Sequence, residues 1–331
     1  MSPEMYSRQK LKLSDIAEIV GVSSVTVGKV LNGGNNSVRV SKKTQDRIWE
    51  VARQLHYKPN RMASVLAGGK SKLIGILHDV GLYYRGIRLL REIELQCTAN
   101  GYRLISGMTH DNVEILEDNY NTMQHYGVDG VICLAHNYPN IKNDFSSMIK
   151  DEENIIFLGK PQCKNMPYVE HRQFHALKEM LKKAIAEGVR NPATFCGSQI
   201  WQSEQRLTED FKNAMEANQM TLHPEMIFEC DEDCFADLND WADYMIHKKI
   251  QRYKPDFLFI DDSKHCAVLQ THLLRHGISL KLFGGDADPL FKGIGVQSLD
   301  PQYGKIAGAL VSYLIKKEKK ENYIETVESI Y

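Results

Sequence analysis

The chain holds no apolar run approaching the roughly 18 residues that a membrane-spanning helix needs. Its first residues, MSPEMYSRQK, have no apolar region of the kind a secretory signal requires. The expectation is a cytoplasmic protein that makes no membrane contact. The seven cysteines are odd in number and scattered, with no C-x-x-C pair. That excludes a disulfide framework and reads as reduced, packed thiols. No G-x-S-x-G or other nucleophile motif is present. GGKS at 68–71 matches the end of a phosphate-binding loop. Yet that motif's first glycine falls on Ser64, and the segment precedes a strand where the motif needs to follow one. No internal repeat is visible. No cofactor is expected, and the chain does not read as an enzyme.

What is present is ordinary globular material, 43% apolar and 25% charged. A length of 331 residues suits two or three domains. The net charge of −1 hides an asymmetry. Residues 1–72 carry thirteen Lys and Arg against five Asp and Glu, a net of +8, and the remainder carries −9. A basic head on an acidic body is the charge pattern of a phosphate-binding module attached to a domain that does not bind nucleic acid.

The head is organised around LSDIAEIVGVSSVTVGKVLN, residues 13–32. Ser14 is placed to cap a first helix, with Asp15 in its first turn, where the macrodipole favours an anion. Ile16, Ala17 and Val20 share a face. Gly21 ends the helix and Val22 plugs the corner. Ser23 caps a second helix whose apolar face is Val27, Val30 and Leu31. This is a helix-turn-helix pattern, in which the second helix lies in the DNA major groove. A polar loop follows at 33–40. Ser41 then caps a third helix to about Leu55, with Ile48, Val51, Ala52 and Leu55 inward. Pro59 disfavours helix at Lys58, and Asn60 can cap a short helix from Arg61 to Ala67, stopped by Gly68-Gly69. Seven residues are too few to be helical alone in water, so this segment folds only with a partner helix and DNA.

The stretch from Leu11 to Leu77, carrying SDIAEIVGVSSVTVGKVLN and VSKKTQDRIWEVARQLHYKPNRMASVLAGGKSKLIGIL, resembles the LacI family of bacterial transcription regulators. The resemblance implies a headpiece over 1–58, a hinge helix and linker over 59–72, and an effector-binding and dimerisation body over 73–331. It places DNA contacts at Ser23, Ser24, Val25, Thr26, Lys29 and Asn32, and at Tyr57, Asn60, Ala63 and Leu66. Leu66 matches the leucine that wedges between base steps in the minor groove. Where the family usually has Ser-Arg near the end of its reading helix, this chain has Gly28-Lys29. Lysine offers a point charge in place of a bidentate fork.

The body alternates strands and helices, the pattern of doubly wound α/β units. Strands are expected at 73–77, 103–107, 128–135 and 154–159, with helices at 88–100, 112–126 and 141–150. A second unit has helices at 174–187, 203–218, 237–252 and 264–276, and strands at 193–197, 226–230, 257–261 and 280–285. A last helix, 303–317, returns across the first unit. Crossovers near 160–172 and near 290 make two lobes that resemble the periplasmic-binding-protein fold. The fold class is therefore multidomain: an all-α helix-turn-helix headpiece plus a two-lobed α/β body.

Ligands in open α/β sheets bind beyond the carboxyl ends of the strands. That rule selects His78, Asp79, Tyr83, Tyr84, His136, Asn137 and Lys160 in the first lobe, and Ser198, Asp261, Asp262 and Asp286 in the second. Acidic residues near aromatic rings suit a sugar-like polyol. By resemblance, Asp286 in FGGD matches the aspartate of the family's G-F-D-D motif. Asp261-Asp262-Ser263 stands where the family has Ala-Asn-Asp, and Arg206 lies one step from its effector-contacting arginine. Val169-Glu170-His171-Arg172 replaces a Val-Asp-Asn-like run, and GLYYRGIRLL replaces an Asn-Pro-Phe-Phe pattern, so the effector need not be a typical sugar. His272 and His276 share a helix face, but spacing places no third ligand beside them. Cys230 and Cys234 flank an acidic loop, and no metal is expected at either place. The reading is a homodimeric, sequence-specific regulator, most simply a repressor, that binds a pseudo-palindromic double-stranded operator and responds to a small-molecule effector. The rival class is a ligand-binding protein or enzyme whose N-terminal helices mediate protein contacts.

Overall fold

The computed structural model describes residues 11–31, 40–57, 69–79, 84–110, 112–135, 138, 149, 154–162, 165–197, 199, 202–229, 235, 237–316 and 323–331, without the side chain of Tyr84. The chain divides into two compact units, Met1–Ser71 and Lys72–Tyr331.

The first unit contains α1 (Leu13–Val20), α2 (Ser24–Leu31) and α3 (Lys42–Gln54). Their inner faces meet in one small core of Ile16, Ala17, Val27, Val30, Leu31, Ile48, Val51 and Ala52. Leu13, Val20, Val22, Leu55 and Tyr57 pack around it. Gly21 takes φ +77° and closes α1 by donating its N–H to Ala17 O at 2.9 Å. A residue with a Cβ adopts that left-handed conformation only at a cost. One expectation is corrected. Lys12, not Ser14, is the cap residue of α1, because the helix begins at Leu13 and puts Asp15 at its third position. There the carboxylate accepts the free Lys12 N–H at 2.8 Å and also faces the positive end of the helix. Ser23 and Ser41 do cap their helices, accepting from Thr26 N at 3.1 Å and Thr44 N at 3.2 Å.

The second unit has two parallel sheets. Its elements in order are β1 (Leu73–His78), α4 (Tyr84–Ala99), β2 (Arg103–Met108), α5 (Val113–His125), β3 (Val131–Cys133), β4 (Ile155–Leu158) and β5 (Tyr168–Arg172). Then follow α6 (Phe174–Ala186), β6 (Pro192–Cys196), α7 (Gln202–Ala217), β7 (Ile227–Glu229) and α8 (Leu238–Tyr244). Helix α8 runs on through a π-helical segment, Met245–Ile250, into a last turn at Gln251–Tyr253. The rest is β8 (Phe257–Ile260), α9 (Ser263–Arg275), β9 (Lys281–Gly284), α10 (Pro289–Ile294), β10 (Gln297–Ser298), α11 (Tyr303–Ile315) and β11 (Ile324–Glu328).

The first sheet has the order β11-β5-β4-β3-β1-β2 and the second β10-β9-β8-β6-β7. These are the sheets of two lobes. Ile74 and Ile76 pack with Leu89 and Ile93 of α4 and Ile306 and Leu310 of α11 on one face of the first sheet. Leu77, Val131 and Cys133 pack with Leu116, Tyr120 and Met123 of α5 on the other. The second sheet is covered likewise by α6 and α7 on one side and α8 and α9 on the other. The chain passes from the first lobe to the second between Arg172 and Phe174, and returns between Ser298 and Tyr303. The return falls later than the expected 290, because α10 and β10 complete the second lobe first. The expected strand 128–135 shrinks to Val131–Cys133, since Val128 and Ala135 are buried outside the ladder. The expected helix 141–150 and the hinge helix Arg61–Ala67 fall outside the described residues, Ile149 excepted. Among the described residues, no helix is long and apolar enough to cross a membrane.

Candidate functional site

In the first unit, the start of α2 presents a polar, exposed face. Ser23, Ser24, Val25 and Lys29 are exposed, and Val25 is 67% exposed although apolar. Thr26 is half-buried, and its hydroxyl meets that of Ser23 at 2.8 Å. Thr26 and Ser23 thus brace the turn, while the side chains of Ser24, Val25 and Lys29 face solvent. Tyr57 is half-buried against the three-helix core. Asn32, Asn60, Ala63 and Leu66 lie outside the described residues.

In the second unit, the carboxyl ends of the strands meet in a charged cluster that joins the two lobes. Arg85 and Arg88 project from the first turns of α4. Arg85 pairs with Asp261, directly after β8, and Arg88 pairs with Asp286 at 2.5 Å, just after β9. The Arg88 guanidinium also stacks over the Tyr303 ring at 5.2 Å. Asp286 is fully buried, and burial pushes its carboxyl above the ordinary range although Arg88 and Arg85 pull it down. Its Oδ2 is buried and has no hydrogen-bond partner among the described residues. The second oxygen of Asp261 accepts from Gln173 Nε2 at 2.7 Å. The close approach needs Gly285: a Cβ there would lie 1.9 Å from Asp261 Oδ1.

Gln173 extends the network along the crossover. Its N–H donates to Asp210 at 2.9 Å, and Asp210 in turn receives Arg172 through both carboxylate oxygens. Next to it, Glu170 accepts from Arg206 at 3.2 Å. His171 bonds Ser329 Oγ at 2.9 Å, and burial, reinforced by the Arg85 charge, lowers its pKa to about 4. It is therefore neutral at ordinary pH. Arg206 is thus brought to the cluster's edge, held by Glu170 and pressed against Gly159, where a Cβ would lie 2.8 Å from its Nη2.

The other expected residues are disposed differently. Asp262 caps α9, accepting from Lys264 N and His265 N at 3.0 Å, and from His265 Nδ1 at 2.7 Å. Burial pushes its carboxyl up, but His265 and the backbone outweigh this and hold it below the ordinary range. Asp79 belongs to a separate group with Thr109 and Tyr138, whose hydroxyl reaches it at 3.1 Å. Tyr83 and Asn137 are outside the described residues, as is the side chain of Tyr84. Arg85, Arg88, Gln173, Asp210 and Tyr303 are members of the cluster that strand-end reasoning misses, because they lie on helices or at the crossover.

Residues 12–60 match the family model described as bacterial regulatory proteins, lacI family. The chain is 31% identical over 143 residues to the HTH-type transcriptional repressor PurR of Erwinia tasmaniensis, covering 43% of this chain and 40% of that protein. It is 35% identical over 129 residues to the sucrose operon repressor of Pediococcus pentosaceus, covering 39% and 38%. The matched part thus spans about two fifths of these relatives' lengths. A longer match, 25% identical over 292 residues, joins 83% of this chain to 86% of the sucrose operon repressor of Klebsiella pneumoniae. Among solved structures, the lac repressor dimer bound to operator and an anti-inducer superposes with a TM-score of 0.77 at 17% identity, over 98% of both chains. A transcriptional regulator CelR–cellobiose complex gives 0.64 at 18%, over 96% and 97%. Residues 12–60, with the exposed start of α2, therefore form a helix-turn-helix domain of the lacI family of bacterial regulatory proteins, joined in this chain to a body with the two-lobed α/β fold of the lac repressor.

Proposed function

We propose that this chain is a sequence-specific DNA-binding transcriptional regulator that acts as a homodimer and represses through a pseudo-palindromic operator. The observation that carries the proposal is the exposed Ser24, Val25 and Lys29 on a helix whose opposite face, Val27, Val30 and Leu31, is locked into a three-helix core. Such a helix offers hydroxyl, methyl and ammonium groups to base edges without unfolding anything. A small-molecule effector between the lobes sets the affinity. It exchanges its own polar groups for the Arg85–Asp261 and Arg88–Asp286 pairs. A polyol such as a sugar derivative suits this exchange, because hydroxyls donate to carboxylates and accept from guanidinium groups. The buried Asp286 Oδ2 is an acceptor ready for one such hydroxyl.

The test is a mobility shift on the DNA upstream of the gene itself, at two salt concentrations. The expected result is one specific complex that weakens with salt, since displaced counterions oppose binding. No specific complex at either salt rejects the regulator and leaves a ligand-binding protein. Leu66→Ala is expected to weaken specific binding by roughly tenfold or more while effector binding persists, if a wedge at this position kinks the duplex. Equal DNA affinity of variant and wild type removes the wedge.

A further inference from the structure

The second lobe carries a side-chain cluster that the regulatory reading does not use. Asp243 closes the last turn of α8. His272 and His276 lie one turn apart at the end of α9, which packs beside it. Asp243 Oδ1 is 3.0 Å from His272 Nδ1 and 3.9 Å from His276 Nε2. One ligand atom from each of the three residues falls within 4.8 Å of the others. Sequence spacing supplies only the histidine pair; the third ligand comes from another helix and becomes visible when the helices pack.

We infer that Asp243, His272 and His276 form a binding site for a divalent transition-metal ion of the zinc or nickel type. Four lines of geometry support it. Tetrahedral zinc with bonds of about 2.0–2.2 Å sets its ligand atoms roughly 3.2–3.6 Å apart, within the spread seen here. Two imidazoles and a carboxylate are the donor set that zinc and nickel accept and magnesium or calcium do not prefer. His272 is 7% exposed, and its Nε2 meets Asn239 Oδ1 at 3.2 Å. A ring that gives its Nε2–H to an outer carbonyl oxygen is the usual support for a metal-bound histidine. His272 Nδ1 then faces Asp243 Oδ1 at 3.0 Å, close enough for both atoms to bind one cation. Finally, His276 and Asp243 are open to solvent, with side chains 43% and 52% exposed, so an ion has a way in and water can complete the coordination.

A fourth group stands close. His247 lies one turn beyond Asp243, in the π-helical segment, with its ring edge-on to His276 at 5.9 Å between centroids. Its Nδ1 faces Gln251 Oε1 at 3.3 Å. Single π turns inside helices occur often at functional sites. The ion would tie α8 to α9, and α9 begins at Asp262 and His265 beside the interlobe cluster.

The experiment is titration of the chelator-treated full chain with Zn²⁺ alone, by calorimetry and by thermal unfolding, and with Co²⁺ as a spectroscopic probe. The expected result is one ion per chain, a raised Tm, and a Co²⁺ spectrum without a thiolate charge-transfer band. His276→Ala, at an exposed position, is expected to weaken binding more than tenfold and to abolish the Tm rise. Asn239→Ala is expected to weaken binding 10- to 100-fold, as loss of an outer-shell partner does. Absence of stoichiometric binding overturns the proposal, and so does binding that His276→Ala leaves unchanged or that shows the thiolate band. A His272–Asp243 contact that is only a hydrogen bond gives the first of these.

Discussion

Arg85 and Arg88 stand at the amino end of α4, where the helix dipole disfavours cations. That misplacement was legible in the sequence as an unusual GLYYRGIRLL, but its meaning was not. The compensating carboxylates, Asp261 and Asp286, are 176 and 198 residues away along the chain. Spacing along one strand or helix does not encode such a pairing. Asp261 and Asp286 themselves were legible, because the ends of parallel strands are fixed by the strand pattern. His171 makes this network sensitive to pH. Its pKa is lowered to about 4 by burial and by Arg85, against about 6.5 in an unfolded chain. Between those values the unfolded chain binds the proton and the folded one does not, so stability rises with pH across the window. The contribution is complete above about pH 6.5 and is lost as pH falls toward 4. Urea unfolding at pH 7 and at pH 4.5 is expected to show a loss roughly 2–3 kcal/mol larger for wild type than for His171→Gln. An equal loss in both places the titration elsewhere.

At the scale of elements, the helices and central strands follow from periodicity, and the departures have local causes. Residues 160–172 are expected as a crossover, yet Tyr168–Arg172 form strand β5, whose sequence YVEHR is polar. It is polar because Glu170, His171 and Arg172 belong to the charged network, so the site's chemistry masks the strand's pattern. Strand β11 is missed for a different reason: it is an edge strand whose residues, apart from Val327 and Glu328, are exposed. The expected helix 237–252 is present in extent, but periodicity gives no sign of its π-helical segment. Within α2, Gly28 is a residue of low helix propensity in an otherwise regular element. A Cβ built there meets only Leu13 Cδ1, at an ordinary 3.4 Å, and φ is not positive. Gly28→Ala is therefore expected to stabilise the first unit by roughly 0.5–1 kcal/mol, read as a raised urea midpoint of the full chain's headpiece transition. A destabilised variant means that Leu13 cannot yield, and that the glycine is kept for close packing of α1 on α2.

At the scale of the whole molecule, two ion pairs, Arg85–Asp261 and Arg88–Asp286, span the two lobes. The pairs hold the lobes together without a ligand, and under the proposed function an effector acts by replacing these contacts. A ligand shifts an equilibrium only by its differential affinity for the two states, so breaking a pair by mutation should imitate part of that shift. Arg88→Met keeps the aliphatic stem and removes the cation, leaving Asp286 buried without its ion-pair partner. Loss of one partner of a buried pair costs about 3 kcal/mol or more. The body is expected to lose that stability unless the lobes separate and admit water to Asp286. Separation shows as a larger radius of gyration in small-angle scattering. Under the proposed regulatory function, operator affinity is expected to fall with it by about 5- to 150-fold, the range of ordinary allosteric coupling. Asp286→Asn on the Arg88→Met background removes the carboxylate charge and is expected to recover most of the stability and the closed dimensions. If Arg88→Met changes neither dimensions nor operator affinity while unfolding at lower denaturant, the pair only holds the fold together, and the lobes are not the switch.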